Sequence, residues 1–501
     1  MADTQASTLY SSLPVSALVG LVIAMGLLSW ARPSGRVSFF SSKENSLFLN
    51  RKNGKAGPKQ ITLKELCRTA TPARCDLNPL LFNGHLQTCW TTVKFDNVPV
   101  YYKRWMFEAD SEAYKGQFAV DFVVEPYEAP KTAEAIDAER KYTLPSGLPE
   151  RTAMFSEDEF AALPSDDSKP MLVVLHGLSG GSHELYLRHI VHPLIADRGW
   201  EACVINSRGC AQTKISTGIL YNARATWDVR QIVKWLRAAF PNRPLFGIGF
   251  SLGANILTNY LGEEGDACQL KAAVLCANPW NLEVSSVAMQ SNFMGLNVYS
   301  KVMGASMKKL FEQHADEVVK NPRVDAEAIR STTYLHEFDR YGPACLSLCS
   351  FHAKVRFRAL QCAVWGYPTE GAYYRDASSI DSLLSIRIPF FVVQAEDDPI
   401  VTVKAVPFQE IAQTPYGVMM TTSWGGHLGW FEFGGGRWFV KPVTKFLNMM
   451  AHEIDLDIPP VVEKPEAVPG RTPSLQKDAA AEPKPAAFSP MRRKLSLPII
   501  N

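Results

Sequence analysis

The feature that most constrains this chain is the pentapeptide Gly249-Phe250-Ser251-Leu252-Gly253, set between the apolar run 245–248 and the helix-competent segment 254–261. G-x-S-x-G between a strand and a helix is the pattern of a nucleophile elbow. The two glycines leave room for a tight turn, and the turn holds the serine in a strained backbone conformation with its hydroxyl above the end of the sheet. The same five residues also make a plain glycine-rich turn. The rest of the chain decides between these uses by supplying, or failing to supply, an acid, a base and an oxyanion-binding loop.

Eight segments read as strands: 101–107, 119–124, 171–175, 202–205, 245–249, 272–277, 389–395 and 416–422. Several are continuous apolar runs, which suit parallel strands covered on both faces. Residues 226–240 and 440–452 read as amphipathic helices. The alternation predicts an α/β fold, a mostly parallel eight-stranded sheet flanked by helices. From 279 to 388 the pattern turns helical and irregular, with Met289, Phe293, Met294, Met303, Met307 and Phe311. This cap-like insertion leaves two uses open, core packing of extra helices or an adaptable apolar wall over the serine.

The strand at 171–175 ends in His176-Gly177-Leu178-Ser179-Gly180-Gly181. In serine hydrolysis on such a sheet this loop donates one backbone N–H to the oxyanion, and the residue after the nucleophile donates the other. That nominates the amides of Leu178 and Leu252, with His176 fixing the loop. The strand at 389–395 runs into Glu396-Asp397-Asp398-Pro399, where a triad acid belongs. Asp398 is the preferred acid and Asp397 the alternative. The last strand leads into Gly425-Gly426-His427, a histidine in a glycine-rich turn that can reach back over Ser251. Ser251, Asp398 and His427 thus occur in the chain order of a triad carried on such a sheet.

Other polar residues invite weaker readings. The run 78–88 (NPLLFNGHLQT) has no periodicity, and its His85 reads as structural. Arg208 follows a strand end and reads as one half of an internal ion pair with Asp228. His192 and Asp197 match an H-x-x-x-x-D acyltransferase spacing, but on a helix an i, i+5 pair points to different faces.

Charge and cysteine content narrow the class. Lys and Arg number 52 against 50 Asp and Glu, a net charge of +2, which gives no basis for nucleic-acid binding. The ten cysteines show no C-x-x-C pair and no zinc spacing, so free thiols in a reducing compartment are expected. No metal or cofactor and no obligate protein partner is implied. Residues 13–30 are almost wholly apolar, and as a helix they extend roughly 27 Å, enough for a single membrane span. Basic residues follow this segment, from Arg32 to Lys59, which predicts a cytosolic body. The domain plan is an anchor at 1–35, a lead-in at 36–98, a catalytic domain at 99–452 with its cap at about 279–388, and a disordered Pro/Ala-rich tail at 453–501.

With these residues in place, the chain resembles AB hydrolase superfamily 4, the YheT-like/ABHD branch of the α/β-hydrolases. The resemblance is carried by the 78–88 run, 176–181, 206–209, 249–253, Asp397-Asp398-Pro399 and Gly426-His427. It is close to the fungal medium-chain fatty-acid ethyl ester synthase/esterases. It implies an α/β-hydrolase fold and a membrane-associated esterase, lipase or acyltransferase. Ser251, Asp398 and His427 would be its triad, acyl esters or acylglycerols its substrates, and water or an alcohol the acyl acceptor. The endoplasmic reticulum or a lipid droplet is the membrane expected. The resemblance breaks at about 342–361, between the EFDR run at 337–340 and the GYPTEGAYYR run at 366–375. We read that segment as a retained intron or a gene-model error rather than a functional insert, which transcript sequencing decides.

Overall fold

The computed structural model describes Gly20 and residues 34–53, 59–93, 98–128, 139–339, 341–343, 356–358 and 364–463. Apart from Gly20, the apolar segment 13–30 lies outside these residues. Among the described residues no helix is long and apolar enough to cross a membrane.

The main sheet has ten strands, in chain order β1 (Val37–Ser41), β2 (Tyr101–Glu108), β3 (Gln117–Val124), β4 (Thr152–Met154), β5 (Met171–Leu175), β6 (Glu201–Asn206), β7 (Leu245–Phe250), β8 (Leu270–Cys276), β9 (Phe390–Ala395) and β10 (Gly417–Thr422). Their spatial order is β1-β10-β9-β8-β7-β5-β6-β3-β2-β4. From β10 through β6 every pairing is parallel, while β6–β3 and β3–β2 are antiparallel. All eight expected strands are present, but the expected count of eight is corrected to ten. The additions are edge strands: β1 pairs antiparallel with β10, and β4 pairs parallel with β2. Three residues of β4 in a polar excursion are too few for period-two alternation to register, and β1 is only half-buried along its length.

The central strands have an apolar layer on each face, as their side-chain alternation requires. Val173 and Leu175 of β5 enter one cluster with Ile205 and Leu257, while Leu172 and Val174 enter the other with Val204 and Ile248. Helix α1 (Leu63–Ala70) opens with a capping box between Thr62 and Glu65. It packs against the C-terminal helix Val440–His452, whose Val443, Phe446, Leu447 and Met450 are buried. Each such side chain contributes about 1.5–3 kcal/mol on burial.

The start of the expected tail is also corrected. Ile454 is buried and bridges to Arg51, and Val461–Glu463 pairs antiparallel with Ser46–Asn50 in a small second sheet. The lead-in thus supplies the partners that hold residues 453–463, and residues 464–501 lie outside the described part. Within the segment that breaks the resemblance, Tyr341–Pro343 pairs antiparallel with Arg356–Arg358 as a separate two-stranded sheet. The remainder of that segment lies outside the described residues.

Candidate active site

The elbow sits where β7 meets the helix Leu252–Glu264. Ser251 has φ 51° and ψ −120°, the strained conformation expected of it, and its N–H donates to Cys276 O at the end of the neighbouring strand (2.9 Å). Both glycines are sterically required. A Cβ on Gly249 would lie 2.5 Å from Gly253 O, and one on Gly253 would lie 2.4 Å from both Leu175 O and His176 O. Side chains there would push the helix off β5 and the serine out of place.

Ser251 Oγ lies 2.8 Å from His427 Nε2, and His427 Nδ1 lies 2.7 Å from Asp398 Oδ2. With the Nδ1 proton donated to the carboxylate, Nε2 is the lone pair that accepts from the serine hydroxyl. The other carboxylate oxygen, Asp398 Oδ1, accepts from the N–H groups of Ile400 (2.8 Å) and Val401 (2.9 Å). The Asp398 side chain is fully buried and that of His427 is 9% exposed, so both work away from bulk water. Asp397, the alternative acid, is placed differently. Its Oδ1 accepts from Gly426 N–H at 3.0 Å, and burial raises its pKa, the neighbouring Asp398 adding to that. It organises the turn that carries the histidine.

Leu178 and Leu252 both line the cavity over Ser251, and no hydrogen bond among the described residues takes up either amide. The Leu178 loop is held from three sides. Tyr186 Oη accepts from Gly177 N–H at 2.9 Å, and Tyr221 Oη accepts from Ser179 N–H at 2.8 Å. His176 Nε2 accepts from Ser207 N–H at 3.0 Å, while its Nδ1 meets Gly177 O at 2.7 Å. His176 is therefore the loop-fixing residue expected. Arg208 makes the expected buried pair with Asp228, through Nε at 2.9 Å and Nη2 at 2.7 Å. His192 and Asp197 lie on one continuous helix, Leu185–Arg198, where five residues separate them by roughly 140° around the axis.

Comparison with known proteins gives the family. The family described as alpha/beta hydrolase fold matches residues 170–408. A Saccharomyces cerevisiae protein named monoacylglycerol lipase is 36% identical over 415 residues, 79% of this chain and 86% of the relative. Medium-chain fatty acid ethyl ester synthase/esterase 2 of the same yeast is 30% identical over 437 residues, 83% of this chain and 95% of the relative. Human phospholipase ABHD3 is 28% identical over 280 residues, 56% of this chain and 63% of the relative.

The chain belongs to the α/β-hydrolases, in AB hydrolase superfamily 4.

In this hydrolase the 78–88 run, to which spacing assigned no chemistry, is a clamp on the loops that carry Asp397 and His427. Asn83 caps the helix Gly84–Trp90. Thr88 Oγ1 accepts from His427 N–H at 2.9 Å while donating to Gly84 O at 2.6 Å. Gln87 donates to Leu81 O (3.0 Å) and accepts from Phe431 N–H (2.8 Å). A Cβ on Gly84 would sit 2.0 Å from Asp397 O, so only glycine allows this approach. The one sequence signal for these residues was their place in the family resemblance. His85 is structural, its Nδ1 2.8 Å from the hydroxyl of Tyr299 in the cap.

Both uses left open for the cap occur. Phe311 is fully buried in the core and Phe293 is 75% exposed, while Met289, Met303 and Met307 line a cavity over Ser251. Met303 and Met307 are one helical turn apart on the helix Lys301–Gln313, which puts both on the face turned to the serine. Asp339 lies in the same wall. Burial pushes its pKa up to about 7, a hydrogen bond from Tyr374 opposes the shift, and Glu370 adds to it. Among the described residues no group of three His, Cys, Asp or Glu could hold a metal ion.

Proposed function

We propose that this hydrolase is a membrane-anchored carboxylic-ester hydrolase acting on medium-chain acyl esters or acylglycerols. The observation that carries the reading is the continuous hydrogen-bonded chain Ser251–His427–Asp398. His427 Nε2 takes the Ser251 proton as Oγ attacks the ester carbonyl, Asp398 holds the imidazole in the required tautomer, and the amides of Leu178 and Leu252 receive the oxyanion. The protonated His427 gives its proton to the departing alkoxide, leaving an acyl-serine. A water molecule, deprotonated by His427, releases the acid in the second step. The unoccupied amides at Leu178 and Leu252 support the oxyanion assignment, and such preorganised donors are typically the largest single contribution to acyl transfer.

Two relatives support the substrate class, one named a monoacylglycerol lipase and the other an ethyl ester synthase/esterase. The second name also favours a variant of the same chemistry, in which an alcohol replaces water in the second step and a new ester leaves. The apolar cavity supports it by disfavouring water over an alcohol near the acyl-serine. Membrane anchoring rests on the apolar segment 13–30 and the basic residues after it.

The test is Ser251→Ala assayed on medium-chain p-nitrophenyl esters, with and without ethanol. Turnover falls about 10⁴-fold or more. Turnover that survives the substitution would sink the serine mechanism, and ethyl ester formed alongside free acid would measure the synthetic branch.

A further inference from the structure

The cavity over Ser251 carries polar atoms that the ester chemistry does not use. Its methionines alone would satisfy an alkyl chain, yet Ser285 and Asn222 line it too. Ser285 is 4% exposed and Asn222 1%, and Ser285 Oγ and Asn222 Nδ2 are both buried without a hydrogen-bond partner. The Asn222 amide cannot be turned to hide its donor, because its Oδ1 accepts from Arg224 N–H at 2.7 Å. Buried polar side chains nearly always have partners, and orphans on a cavity wall mark where a bound molecule supplies them. The wall continues through Asp339 and Tyr374, the Tyr374 hydroxyl donating to Asp339 Oδ2 at 2.9 Å.

These groups line the same cavity as Ser251. Asn222 follows Tyr221, whose hydroxyl holds Ser179 in the oxyanion loop. The next residue, Ala223, is tied by its carbonyl to Asn255 Nδ2 on the helix that begins at the elbow (2.9 Å). A hydroxyl bound here shares the cavity with an ester held at Ser251. Asn222 can only donate from its free nitrogen, whereas Ser285 can donate and accept. That complement matches two neighbouring hydroxyls.

We propose that Ser285 and Asn222 form a hydroxyl-binding subsite that selects partially esterified polyols, of the glycerol class, over esters of simple alcohols. The proposal rests on the serine-esterase reading above and names the part of the substrate that reading leaves open. The hydroxyl could come from the alcohol side of the ester or from the acyl side, and three substrates separate the sources: 1-decanoylglycerol, propyl decanoate and propyl 3-hydroxydecanoate.

With the wild-type full chain, kcat/KM for 1-decanoylglycerol exceeds that for propyl decanoate by about 10-fold or more, because a site built for a hydroxyl discriminates against a substrate lacking it. Ser285→Ala lowers the ratio of the two by about 10-fold, the value of one hydrogen bond, and Ser285→Thr, which keeps the hydroxyl, restores it. An advantage found instead for the 3-hydroxyacyl ester, itself an ester of a simple alcohol, overturns the selection for polyols and puts the recognised hydroxyl on the acyl side. Equal wild-type rates on all three esters overturn the proposal, as does a Ser285→Ala loss that is the same for all three. Turnover of none of them sinks the esterase reading and the subsite with it.

Discussion

At the scale of single residues, the site depends on which protons are held where. Asp398 spends one oxygen on two backbone amides and the other on His427, so its carboxylate has no rotational freedom to lose during the reaction. His176 is the second residue whose protonation matters. Burial depresses its pKa to about 4, the hydrogen bond to Gly177 O and the charge of Asp121 opposing the shift. An unfolded histidine titrates near pH 6.5. The folded-state pKa is the lower of the two, so the unfolded chain takes up this proton first as pH falls. The stability contributed by neutral His176 is full above about pH 6.5 and is lost progressively towards pH 4, by a total on the order of 3 kcal/mol. Thermal melts between pH 7 and pH 4 should show this loss, and His176→Asn should flatten it. Identical pH slopes in the two proteins would contradict the assignment. Ser251, Asp398 and His427, which the fold joins by hydrogen bonds, stand out in the sequence because each follows the end of an apolar strand. The sequence preferred Asp398 to Asp397, and the turn aims Asp398 at Nδ1 while Asp397 meets Gly426 N–H.

At the scale of elements, the helix Gly84–Trp90 shows what periodicity cannot reveal. Its polar side chains act through distant loops, Thr88 on His427 and Gln87 on Phe431, and no local pattern records a contact across more than three hundred residues. The strands were legible for the opposite reason, since continuous burial writes itself as continuous apolar sequence. In the main sheet only the two edge strands escaped, and the strands of the small separate sheets escaped with them. If the clamp positions the base, Thr88→Val, which keeps the shape and removes the acceptor, lowers kcat about 10-fold or more through misplacement of His427, with a smaller change in KM. Thr88→Ser restores activity. A Thr88→Val enzyme with unchanged kcat would show that the clamp holds the fold without positioning the histidine.

At the scale of the whole molecule, the carboxyl end of the sheet brings Ser251, Asp398 and His427 together, and the cap lines the cavity over them with methionines. The cap was legible only as a stretch of helical, methionine-rich sequence. Which of its residues face the serine depends on how the helices fold back, and that is set by tertiary packing. The anchor is the other large-scale claim. Removing residues 1–33 leaves the described fold complete except for Gly20, so the truncated protein is expected to keep ester hydrolysis while moving from the membrane pellet to the soluble fraction. A truncated protein still sedimenting with membranes would place the attachment elsewhere.

Covalent trapping tests whether Ser251 is the nucleophile. Intact full-length protein treated with an alkyl fluorophosphonate, digested and read by mass spectrometry, should carry one phosphonyl adduct on the peptide containing Gly249 to Gly253, at Ser251, with ester hydrolysis lost in proportion. Full inactivation with Ser251 unmodified, or an adduct on another residue that alone tracks the loss of activity, would contradict the account.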